Sequence, residues 1–245
     1  PKVSKITPQK FQVLVDTFAH DLEQMLWDVK GTIAFRQDKL GIAYESWTNS
    51  AFDYKKTFFY SDLNNPFDDR WIKFETGETK EPQSYQSKEA IVKRLINLKR
   101  ESSPDSLYIL GKAYHSFSYW GRNWKMFNYG KYDEEWMPMS DYGQGNFINY
   151  TFYPNSETYE NEYYKLSRAK KYFQQALNHP KANLDLKARA LFMLGECDRS
   201  QNHWIHLKSG KDEKKKYISP YQKRLERDYK KAKLYHSFIS CSHGS

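Results

Sequence analysis

The sequence predicts an all-α protein built of packed helical hairpins. Apolar residues recur at three/four spacing through most of the 245 residues, the period of one buried helix face. Glycine and proline number 11 and 9, few for an architecture of strands and tight turns. The C-terminal half alternates tiny and bulky residues, as helices do when they approach closely.

Residues 7–30 predict the first helix. Thr7 can cap it, and Pro8 suits the first helical position, where no backbone donor is needed. Phe11, Leu14, Val15, Phe18, Leu22, Met25, Leu26 and Val29 form one stripe expected to be buried, and Gly31 is the expected stop. Over 35–61, Leu40, Tyr44, Trp47, Ala51, Tyr54 and Phe58 predict one or two further helices, with Thr48 and Asn49 able to break the run. Residues 62–85 read as an ordered, irregular loop, since Asn64-Asn65-Pro66 and Gly77 are turn signals. Ser87 then caps a helix to about Arg100, with Ile91, Leu95 and Leu98 facing inward. Ser102-Ser103-Pro104-Asp105 breaks the chain and starts the next helix. The expected organisation is an N-terminal helical region over 1–103 and hairpins over 104–245, as one continuous helical domain.

From residue 105 a repeat emerges. Leu107-x-x-Leu110-Gly111-x-x-Tyr114 is echoed by Leu191-x-x-Leu194-Gly195-x-x-Asp198. Between them stands Ala169-x-x-x-Phe173-x-x-Ala176-Leu177, followed by Pro180. These resemble the two halves of a tetratricopeptide repeat. Gly111 and Gly195 would let a neighbouring helix approach, Ala169 and Ala176 would do so from the other side, and Leu and Phe would fill the gaps. The match is irregular. A long insertion, about 120–156, must separate the helices of the first hairpin. Asp198 replaces the usual aromatic residue. A last helix from Pro220 to about Ser240 carries Leu225, Tyr229, Ala232, Tyr235 and Phe238 at helical spacing without the consensus. The fold expected is therefore tetratricopeptide-like, an α-α superhelix with an aromatic-rich insertion.

A wider resemblance rests on motifs in order: Asn65-Pro66-Phe67-x-x-Arg70, Leu110-Gly111-x-x-Tyr114, Tyr119-Trp120-Gly121-x-Asn123-Trp124, Tyr163-Tyr164-x-x-x-x-Arg168-Ala169 and Lys187-Ala188-Arg189-Ala190-Leu191-Phe192-Met193. Over roughly 60–240 the chain resembles a group of uncharacterised, cell-envelope-associated helical proteins of Bacteroidetes. The motifs are not catalytic. The resemblance implies an envelope or exported location. The chain begins at Pro1 rather than Met, which predicts a processed chain or an excised fragment.

Composition narrows function further. The net charge is +9. Basic runs stand at Lys165-Arg168-Lys170-Lys171, Lys211 to Lys216 and Arg224-Arg227-Lys230-Lys231-Lys233, with tyrosines between them that could stack on bases. Asp212, Glu213, Glu226 and Asp228 intrude throughout, and Glu226 and Lys230 are an ordinary i,i+4 helix pair. A solvated lysine-rich surface is the expectation, not a nucleic-acid interface. No apolar run reaches the roughly 20 residues that span a bilayer.

The insertion is the segment most able to carry function. Aromatic residues make up 17% of the chain, and the insertion concentrates them. Trp120, Trp124, Tyr129, Tyr132, Trp136 and Tyr142 are the candidate binding residues. A loop longer than roughly 12–15 residues inside a compact domain is usually functional or disordered, and disordered chains are poor in aromatics. The rings either form the loop's own core or make a platform for a partner peptide or a glycan, since large rigid rings suit recognition.

Signals of chemistry are thin. Glu134-Glu135 and Asp68-Asp69 are chain neighbours that point apart, so neither pair makes an acid/base dyad. Gly143-Gln144-Gly145 lacks the Lys and the helix start of a phosphate loop. Cys197, His203, His206, His236, Cys241 and His243 gather late. An antiparallel hairpin turning near 212 would set Cys197 opposite about 227, however, so no shared metal site or disulfide is expected. His115 is expected to be packed or partly exposed. The function expected is a non-enzymatic scaffold that binds a protein partner, without metal or cofactor. A glycan-binding module using the insertion is the alternative, and an enzyme of unknown chemistry the third reading.

Overall fold

A computed structural model describes residues 8–50, 63–67, 85–121, 123, 126–127, 159–209 and 217–232, which are mostly helical. Helix α1 spans Pro8–Arg36 and so does not stop at Gly31. That glycine lies buried against Trp47 of α2 (Leu40–Asn49). A Cβ added to it would sit 2.5 Å from the Trp47 indole nitrogen, so Gly31 serves helix approach rather than termination. Termination falls to Asp38, at φ 59°. The N–H groups of Asp38 and Lys39 donate to the carbonyls of Phe35 and Ala34 at 3.0 and 2.9 Å. This is a left-handed closure of the last turn that aspartate tolerates better than most residues.

The face of α1 that meets the body is also not the expected stripe. Gln24, Asp28, Thr32, Ala34 and Phe35 are buried, while Leu22, Met25, Leu26 and Val29 are exposed. The side chains of Phe11, Leu14, Val15 and Phe18 lie outside the described residues. A polar anchor accounts for the rotation. Asp28 Oδ1 accepts hydrogen bonds from Trp47 Nε1 at 2.9 Å and from Lys88 Nζ at 2.8 Å. The Lys88 ammonium also lies 5.0 Å from the Trp47 ring centre. Burial pushes the Lys88 pKa below its ordinary value, and the Asp28 charge partly offsets this. With α1 turned the other way, the buried Lys88 ammonium would lose the carboxylate it pairs with.

Helix α2 ends at Asn49, at the foreseen break. Ala51, Tyr54 and Phe58 lie outside the described residues. The stretch expected to be irregular contains a two-residue antiparallel pair, β1 (Leu63–Asn64) with β2 (Tyr85–Gln86). It delivers the chain to α3 (Lys88–Glu101), whose Ser87 cap accepts from the Ala90 N–H. Phe67 is buried, with the Arg94 guanidinium 4.3 Å from its ring.

The remaining helices are α4 (Pro104–Phe117), α5 (Ser167–Asn178), α6 (Leu184–Ser209) and α7 (Pro220–Asp228). Each packs on its predecessor, and α4 also reaches α6. Ser103 caps α4 by accepting from the Ser106 N–H at 3.1 Å. Helix α7 falls short of the expected Ser240. A turn bond from the Ala232 N–H to the Tyr229 carbonyl replaces the next helical turn and buries Ala232. Tyr235 and Phe238 lie outside the described residues. Asp198 is not a gap in the pattern. It accepts from Tyr217 and Ser219 hydroxyls at 2.7 and 2.8 Å, fixing the entry to α7 on α6.

The four small residues are buried but not equivalent. A Cβ on Gly111 would lie 2.6 Å from the Phe173 ring, between Ala169 and Ala176 of α5. A Cβ on Gly195 would meet Gln222 at 3.8 Å, an ordinary contact. Gly111→Ala is therefore expected to cost about 1–3 kcal/mol by overpacking. Gly195→Ala should be neutral or stabilising by up to about 1 kcal/mol through helix propensity. Urea denaturation of the two variants checks this, and equal losses would contradict it.

The core centres on Phe35. Trp47, Phe117 and Phe127 stand 5.8, 5.5 and 5.3 Å from its ring centre, and Tyr114 stacks at 6.4 Å. One α1 residue thus binds α2, α4 and the first turn after it.

Candidate functional site

The insertion leaves the body after α4 and returns through a π-helical turn, Tyr159–Tyr164, ahead of α5. Two hydrogen bonds clasp its ends. The Tyr119 N–H donates to the Tyr163 carbonyl at 3.0 Å, and Trp120 Nε1 donates to the Tyr164 carbonyl at 2.9 Å. The exit turn is tight: Asn123 N–H donates to the Ser116 carbonyl at 2.8 Å. A Cβ at Gly121 would collide with that same carbonyl oxygen. At the return, Leu166 is buried at φ 58°, a left-handed conformation unusual for so bulky a residue.

Around this clasp the rings form a ledge. Tyr119 lies edge-on to Trp120 at 5.1 Å, and Trp120 edge-on to His203 of α6 at 5.5 Å. Tyr164 stacks face to face on Trp204 at 3.7 Å. Tyr119, Trp120 and Trp204 are half-buried, and His203 is exposed. Of the six candidate residues, Trp120 is placed here. Trp124, Tyr129, Tyr132, Trp136 and Tyr142 lie outside the described residues. The α6 contribution of Trp204 was missed, because helical spacing alone does not say which rings meet those of a distant loop. The side chain of His206 lies outside the described residues.

A second constellation joins four elements. Asp38 pairs with Lys99 at 2.8 Å, accepts from the Tyr114 hydroxyl at 3.0 Å and lies 3.6 Å from Arg168. Arg168 also pairs with Glu162 at 3.3 Å, and its guanidinium lies 5.0 Å from the Tyr114 ring centre. Burial, with Asp38 nearby, holds Tyr114 well above its usual pKa and pushes Tyr172 up to about 12. Both phenols stay protonated at neutral pH and are poor nucleophiles, and Tyr114 donates its proton to the Asp38 carboxylate in a hydrogen bond. Burial raises Glu162, against the opposing charge of Arg168. The carboxylates are occupied by cations and hydroxyls, and the group acts as a clamp between the end of α1, α3, α4 and α5.

In comparisons with known proteins, the chain matches no family model, no curated protein and no solved structure.

Two further groups bear on reactivity. Cys197 is a free thiol, wholly buried in α6, and burial pushes its pKa up to about 12. It is not a nucleophile at neutral pH. Cys241 lies outside the described residues. His115 is half-buried on α4, and desolvation lowers its pKa to about 4. The folded protein holds this ring neutral, whereas the unfolded chain takes up the proton near pH 6.5. Stability linked to His115 is thus full above 6.5 and is lost as pH falls towards 4, by at most about 3 kcal/mol. His115→Gln should flatten that part of the dependence. Urea midpoints at pH 7 and 4.5 measure it, and parallel losses in variant and parent would contradict it.

Proposed function

We propose that the protein is a non-enzymatic helical scaffold that binds a protein partner, as part of a cell-envelope assembly. The observation that carries this reading is the ledge of Trp120, Tyr164, His203 and Trp204 where the insertion joins α4 and α6. It is aromatic and apolar, partly open, and fixed by backbone hydrogen bonds, a composition typical of protein-contact hot spots. The order of packing, α4 to α5 to α6 to α7 with α4 reaching α6, supports a tetratricopeptide-like superhelix as its frame. Stacked hairpins of that kind present extended concave surfaces to ligands. The resemblance to Bacteroidetes envelope proteins favours the envelope location. No described helix is long and apolar enough to cross a membrane.

A second reading, a glycan-binding module, is favoured by the half-exposed Tyr119 and Trp120 rings. Against it, Tyr164 and Trp204 cover one another's faces, leaving less free ring face for a sugar.

The test is quantitative capture of partners from an envelope fraction, in parallel with a glycan array, using the parent and Trp204→Ala and Trp120→Ala variants that retain parental helicity. Saturable capture of one protein, weakened at least about tenfold in the variants, supports the scaffold. Binding on the array with no protein capture replaces it with the glycan module. Parental capture by both variants removes the ledge from the interface.

A further inference from the structure

The outer face of α1 carries a second surface, separate from the ledge. Leu22, Met25, Leu26, Val29 and Ile33 are 42%, 44%, 57%, 45% and 46% exposed. They fall at i, i+3, i+4, i+7 and i+11, one stripe opposite the Gln24, Asp28 and Phe35 face that meets the body. Within it Leu22, Leu26, Val29 and Ile33 follow steps of four, three and four, the spacing of the apolar seam in a two-stranded coiled coil, with Glu23 and Lys30 at flanking positions.

The charges beside the stripe are arranged for one occupant. Glu23 and Lys30 are both exposed and lie on the same flank, two turns apart. Lys30 rests over the Trp27 ring, 4.7 Å from its centre, which keeps the ammonium on that flank. Parallel pairing of two identical helices sets this flank against the opposite one. Antiparallel pairing about a perpendicular two-fold sets it against itself, reversed. The register that places Leu22 opposite Ile33 of a second copy, and Leu26 opposite Val29, also brings Glu23 within about 3 Å, along the axis, of the second copy's Lys30. Apolar stripe and flanking charges are thus satisfied together by one symmetric pairing.

We propose that α1 is the seam of an antiparallel homodimer, with Leu22, Met25, Leu26, Val29 and Ile33 buried between two copies and reciprocal Glu23–Lys30 pairs at its rim. The dimer displays two copies of the ledge, but the seam does not depend on what the ledge binds.

Sedimentation equilibrium on the full chain tests the proposal. The expected result is a dimer at micromolar concentration that Leu26→Glu converts to monomer with unchanged far-ultraviolet helicity. Glu23→Lys, which sets like charges opposite one another, should weaken the dimer about tenfold, and adding Lys30→Glu should restore it to within about threefold. A parent chain still monomeric at about 100 μM, a dimer indifferent to Leu26→Glu, or a double charge reversal no better than the single one would overturn it.

Discussion

Asp28→Ala is expected to destabilise the protein by about 3–5 kcal/mol, the cost of stranding one member of a buried ion pair. The substitution takes from the Lys88 ammonium, in a residue 5% exposed, the carboxylate it pairs with at 2.8 Å. It also strips the Trp47 indole N–H of its acceptor. The pH dependence identifies the cause. Burial already lowers the Lys88 pKa, and Asp28 opposes that shift, so removing Asp28 lowers the folded-state value further. Between that value and the unfolded one, near 10.4, the unfolded chain binds more protons than the folded one, and stability rises with pH. The deficit of Asp28→Ala should therefore be largest near neutrality and shrink towards pH 10. The double variant Asp28→Ala, Lys88→Met should recover most of the loss, since an apolar replacement of both partners leaves no buried charge. Chemical denaturation at pH 7 and 9.5 measures all of these. A loss under about 1 kcal/mol that does not vary with pH would mean that the pair is not buried in solution.

Phe35→Ala should cost about as much, 3–5 kcal/mol, for a different reason. Phe35 is fully buried and its ring meets those of Trp47, Tyr114, Phe117 and Phe127. Truncation leaves a void whose walls belong to three segments, so no single side chain can swing in to fill it. Phe35→Leu, which keeps most of the volume, should lose less than about 2 kcal/mol. Equal losses from the two substitutions, or a near-ultraviolet circular dichroism spectrum untouched by Phe35→Ala, would show that the rings do not form one packed unit.

What could be read from the sequence was mainly what is local. Ser87 and Ser103 announce helix starts because a cap acts within its own turn, and both accept the N–H three residues on. Ala169, Phe173 and Ala176 are buried as their small-large-small pattern requires. The misreadings on α1 have a common cause. Apolar periodicity shows that a helix has two unlike faces, but the choice between core and outside belongs to residues far along the chain, here Trp47 and Lys88. Those partners make a face with Gln24, Asp28 and Thr32 the inner one. Gly31 misled for the same reason: the same residue type ends helices and admits a neighbouring ring, and only Trp47 distinguishes the two. At the candidate site, Trp120 was visible as part of an aromatic run. Its meeting with Tyr164 and His203 depends on the clasp between Tyr119 and Tyr163, which joins positions 44 apart in the chain and leaves no short motif.

The sealed sulfur atom on α6 makes the fold its own stopwatch. With Cys197 shut between neighbouring helices and its proton firmly held, a colourless aromatic disulfide reagent can react only during excursions that part those helices. With Cys241 replaced by serine, the yellow thiolate released at that slow pace then reports the opening of the C-terminal hairpins at Cys197.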